Sequence, residues 1–182
     1  MGINTSTKKT TNLSCRIDKS VYDILVKDAE LKGISLNSLV NSISKGYVSW
    51  GKNAEYMGFI PLAKETVGQI FKKLDDKAIK EIGYNVGTTI PREFIMLTYG
   101  HVSFPNILSM IEIGNSRFGH ITHDIDYNTH QITIFHGINE KFSLFLTYVH
   151  EAMAEDLSVH LKITSLDCSM ISMQIAENSL PK

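Results

Sequence analysis

Apolar and polar residues alternate one by one over residues 12–17, and the spacing then switches to threes and fours. Leu13, Cys15 and Ile17 fall on one face of an extended segment, and Asn12, Ser14 and Arg16 on the other. A strand this short cannot bury its apolar face or satisfy its backbone alone, so it needs a neighbour. No second strand pattern lies nearby, which makes an identical copy of the chain the economical partner. Asp18 then precedes a helix from Lys19 with Val21, Ile24, Leu25 and Ala29 as its stripe, and Gly33 is placed to end it. Ser35 caps a second helix bearing Leu36, Leu39, Val40, Ile43, Tyr47 and Trp50.

Past a junction near Gly51-Lys52-Asn53, residues 61–115 read as a set of short helices. Pro61 opens one, carrying Val67, Ile70, Phe71 and Leu74. Ala78, Ile79, Ile82 and Val86 make another that ends near Gly87, and Thr89 and Ser103 precede two more. Residues 119–125 and 130–136 then predict strands joined by a turn into a hairpin. A helix follows over 140–157, with two further alternating segments at 159–164 and 169–175. That order predicts an antiparallel sheet covered by helices, an α+β domain.

The segment Asn12-Leu13-Ser14-Cys15-Arg16, the helix from Lys19, the turn Gly33-Ile34-Ser35-Leu36-Asn37 and the helix after it resemble a ribbon-helix-helix domain of the MetJ/Arc repressor superfamily. The resemblance covers about residues 8–52. It implies an intertwined dimer whose paired strands enter the major groove, with Asn12, Ser14 and Arg16 at base edges. Ser14 is shorter than the amide or basic side chains often found there, which leaves discrimination mainly to Asn12 and Arg16. Ser35 and Asn37 fall where that family's second helix meets phosphates, and exposed amides at a helix start suit an anion. Leu13, Cys15, Ile17, Leu39 and Ile43 would form the dimer core.

Charge changes the picture in the same direction. Residues 1–52 hold eight basic and four acidic side chains, net +4. The remainder holds ten basic and fifteen acidic, net −5, so the overall −1 hides a basic head and an acidic body. Lys8 and Lys9, in a polar leader, are placed to touch phosphates. The expected organisation is a leader at 1–11, a DNA-binding and dimerisation domain at 12–52 and an α+β sensor or assembly domain at 58–177. No apolar run reaches the length of a membrane span, and the start lacks a signal peptide's apolar core. Two cysteines, Cys15 and Cys168, suggest no disulfide framework, so a reducing cytoplasmic setting is expected.

Candidate chemistry is thin. Six of the seven histidines follow residue 119, and the hairpin would bring His120 or His123 near His130 or His136, a candidate metal set. Nickel-responsive repressors share the overall plan of such a head joined to an α+β ligand-binding domain, but their ligand spacing is not reproduced here. His150-Glu151 lacks the second histidine of a zinc protease, and no phosphate-binding glycine loop is present. Enzymatic activity is not expected, and no cofactor is required.

The expected function is a sequence-specific transcription regulator, a homodimer or tetramer on double-stranded DNA. Its second domain would sense a small molecule or metal ion or assemble dimers. An antitoxin-type autorepressor with a toxin-binding second domain is the alternative, as is an interaction module that uses the head only to dimerise.

Overall fold

A computed structural model of the chain describes residues 10–177. Its internal contacts divide it into two compact units, with the boundary between Gly46 and Tyr47.

The first unit contains α1 (Lys19–Leu31) and α2 (Leu36–Gly46). Between them Gly33 takes φ +62°. The Gly33 amide donates to the Glu30 carbonyl and the Ile34 amide to the Ala29 carbonyl, both at 3.0 Å. This pair of bonds closes the end of α1, and the positive φ is a conformation glycine adopts without steric cost. Ser35 caps α2 through its Oγ, which accepts from the Ser38 amide at 3.1 Å. Asp18 holds the cap position of α1, but its side chain makes no capping bond.

Residues 10–18 form no strand; every strand among the described residues lies between His120 and Ala176. A β-strand exists only through hydrogen bonds to a neighbour, and this single chain places none beside that segment.

In the second unit a π-helical turn (Tyr47–Gly51) leads into α3 (Lys52–Tyr56). Then come α4 (Lys64–Lys73), α5 (Asp76–Tyr99) and α6 (Phe104–Asn115). Trp50 belongs here and not to the head's stripe: its ring lies 5.1 Å from those of both Phe59 and Phe94.

The expected set of short helices between 75 and 100 is one helix of 24 residues, a correction to the reading that ended one helix near Gly87 and began another after Thr89. Gly83 and Gly87 instead let α5 approach the helix α7 (Glu140–Leu157). A Cβ on Gly87 would stand 2.3 Å from the Val149 carbonyl oxygen, and one on Gly83 2.7 Å from the Tyr148 Cβ. Arg92 clamps the far end, with Nε donating to the Asp156 carboxylate at 2.8 Å and Nη2 to its carbonyl at 2.7 Å.

The sheet comprises β1 (His120–Asp126), β2 (Thr129–Phe135), β3 (His160–Leu166) and β4 (Met170–Ala176). Its spatial order is β1-β2-β4-β3, with every neighbouring pair antiparallel. Tyr127 starts the two-residue loop of the first hairpin with φ +52°, the positive value such tight loops demand. Helix α7 carries the chain from β2 to β3, and β4 then inserts between them. The unit is therefore α+β, as its alternating and helical patterns imply.

Register places Ile132 and Ile134 of β2 beside Met173 and Ile171 of β4, all fully buried. They meet Phe142, Leu146 and Met153 of α7 and Ile107 and Ile111 of α6 in one core. Asn139 caps α7 by accepting from the Phe142 amide at 3.0 Å. No single helix among the described residues is long and apolar enough to cross a membrane.

Candidate functional site

The head presents its polar residues openly. Asn12, Ser14 and Arg16 are exposed on the segment before α1, and Asn37 is exposed in the first turn of α2. Ser35 is exposed as well, and its Oγ is engaged in the cap and 2.8 Å from the Ser38 hydroxyl. Lys8 and Lys9 lie outside the described residues.

The apolar residues are equally open. Leu13 is 85% exposed, Ile24 67% and Ile43 52%, while Ile17, Val21 and Ile34 are also uncovered and Cys15 is exposed. Within the described part of this unit only Ala29 and Leu39 are buried. A pair of helices with two buried apolar side chains has almost no core of its own.

In the second unit the histidines separate by sheet face. His123 and His130 point to the helix-covered side and meet, His123 Nε2 lying 2.8 Å from His130 Nδ1. Glu112 of α6 completes a chain, its Oε1 accepting from His123 Nδ1 at 2.5 Å. Burial lowers the pKa of His130, with the adjacent His123 adding to the effect and Glu112 opposing it.

The other two metal candidates go elsewhere. His120 lies on the opposite face, stacked on Phe135 with ring centres 6.0 Å apart. His136 is fully buried, 2.7 Å from the Ser143 hydroxyl, and its Nδ1 accepts from the Ile138 amide at 3.1 Å. Cys168 is exposed in the β3–β4 turn. The four candidates thus do not converge. Among the described residues no group of three or more His, Cys, Asp or Glu side chains is arranged to hold a metal ion.

Sequence spacing does not reveal a further feature, a cavity of about 240 Å³ between α5, α6 and α7. Its wall includes Trp50, Phe59, Phe94, Phe118 and Phe145, with Asn115 and His150 as buried polar members. His150 Nδ1 donates to the Leu146 carbonyl at 2.7 Å, which leaves Nε2 as an acceptor facing the Asn115 amide nitrogen at 3.2 Å. Burial pushes the His150 pKa down to about 4, so the ring is neutral at pH 7. Asn115 and His150 are thirty-five positions apart, so only the packing of α6 on α7 brings them together.

No family model, curated protein or solved structure matches this chain.

Proposed function

We propose that the chain is a sequence-specific DNA-binding transcription regulator whose head dimerises and whose second unit senses an effector or assembles dimers. The observation that carries this reading is the head's lack of a core. Its turn and its cap are well formed, yet the alternating segment at 12–17 has no strand partner and Leu13, Ile17 and Ile43 stay exposed. A second copy supplies both needs at once: paired strands satisfy each other's backbone, and the apolar faces bury together. The pairing sets Asn12, Ser14 and Arg16 in two polar rows fit for a major groove, with Ser35 and Asn37 at the phosphates. The basic balance of residues 1–52 supports the same partner.

Selection of bound sequences from a random duplex pool tests this, followed by anisotropy titrations of wild type and Arg16→Ala at several salt concentrations. A short palindromic or tandem motif is expected, with a steep salt slope. Arg16→Ala should lose about 1–3 kcal/mol of discrimination between cognate and random duplex. An absence of any enriched motif would overturn the reading and leave the head as a dimerisation device.

A further inference from the structure

We propose that the cavity between α5, α6 and α7 is a binding site for a small aromatic molecule carrying one hydroxyl or N–H donor, recognised by the side-chain oxygen of Asn115. The site lies wholly in the second unit, so the proposal goes beyond the DNA-binding reading and does not depend on it.

Size and lining select the class. The cavity is partly open to solvent and its wall is almost entirely apolar, so an apolar guest can enter and gains by displacing water from it. An apolar cavity of roughly 150 Å³ already admits benzene in another protein. At about 240 Å³ this one has room for a single substituted ring. Five aromatic side chains offer ring edges and faces to such a guest. Met110 and Met153 line the same space and adapt readily to its outline. Charged guests are disfavoured, because no Lys, Arg, Asp or Glu lines this cavity.

The hydrogen-bonding demand follows from Asn115. The atom 2.8 Å from the Ile111 carbonyl oxygen must be the amide nitrogen, since two acceptors would repel. That nitrogen also serves His150 Nε2, so both of its hydrogens are engaged. The amide oxygen is thereby assigned as the other atom. Among the described residues it accepts no hydrogen bond, and it is not one of the fully enclosed atoms, none of which lacks a partner. Asn115 lines a cavity that is otherwise almost entirely apolar, and its oxygen is the acceptor that the proposal assigns to the guest. His150 acts as a positioning residue: its neutral ring, oriented by the Leu146 carbonyl, holds the amide in this orientation.

The test is calorimetric titration of the full chain with p-cresol and with toluene, which differ by one hydroxyl donor. Emission of Trp50, the sole tryptophan, reports binding beside its ring, and the response to substitution of Asn115, which lines this cavity and not the adjoining one bounded by Ile60, Pro61 and Arg117, places it. Wild type should bind p-cresol about tenfold more tightly than toluene, as one extra hydrogen bond provides. Asn115→Leu should bind toluene unchanged and p-cresol no better than toluene. Gly114→Leu should bind neither, because a Cβ at that position already stands 4.0 Å from the Trp50 ring and the rest of the side chain would fill the space beside it. If Asn115→Leu does not fold, the wild-type ratio and Gly114→Leu still decide the matter. Equal affinities in wild type, a preference that survives Asn115→Leu, or no binding of either probe would overturn the proposal. DNA binding is read separately, so its failure leaves these outcomes intact.

Discussion

His136 donates from Nε2 to the hydroxyl of Ser143 across 2.7 Å, and Ser143 passes a hydrogen bond on to the Asp167 carbonyl at 2.6 Å. The end of β2, the first turn of α7 and the β3–β4 turn are joined by this buried relay. The relay requires a neutral ring, because Nδ1 is already accepting from the Ile138 amide.

Acid should therefore destabilise the second unit. Burial lowers both His136 and His150 from an ordinary value of 6.5 to about 4. Between those values the unfolded chain takes up protons that the folded chain refuses, so stability is complete above about pH 6.5 and falls as pH drops toward 4. The loss should be roughly 1–3 kcal/mol for each histidine at the acid end of that window. Urea unfolding at pH 7 and pH 4.5 measures it. His150→Gln should flatten the dependence, and a dependence unchanged in that variant would exclude His150 as a source.

The histidine pair offers a sharper electrostatic check. Glu112 raises the pKa of His130 while burial and His123 lower it. Glu112→Gln should consequently push His130 further down, and His123→Ala should let it rise. Proton NMR titration of the imidazole signals distinguishes the two directions, and movement of both variants the same way would contradict the chain of contacts.

Two glycines should respond in opposite ways to the same methyl group. Gly87→Ala drives a Cβ against the Val149 backbone oxygen, so α5 and α7 must separate, at a cost of about 1–3 kcal/mol or more. Gly114→Ala meets only ordinary contact with Trp50 and should be neutral or stabilising by up to ~1 kcal/mol. Thermal unfolding of both variants beside wild type checks the contrast.

The proposed assembly through the head gives a fourth expectation. Ile43→Glu should reduce the sedimenting species to a monomer and remove DNA affinity, while the far-ultraviolet spectrum of the second unit persists. A dimer that survives this substitution would place the dimer contact elsewhere.

Much of the fold is legible from pattern. Alternation at β1 and β2 and the apolar stripe of α7 place those elements within a residue or two of their observed bounds, because each signal is local. Gly87 misleads for the opposite reason. Its local preference is to end a helix, but the close approach of α7 is satisfied only where α5 carries no side chain, and packing outweighs propensity. The pairing of His123 with His130 follows from hairpin register, whereas Glu112 reaches them only through tertiary packing.

By itself, then, the sequence determined the helices of the head, their glycine turn and serine cap, the hairpin and the α+β order of the second unit, all set by interactions within a few residues. Tertiary structure alone decided that Trp50 joins Phe59 and Phe94, that Glu112 reaches the His123–His130 pair, and that Asn115 and His150 meet at a cavity. Those outcomes depend on which surfaces of distant helices come together, and burial of apolar area, which chooses them, is a property of the whole assembled core.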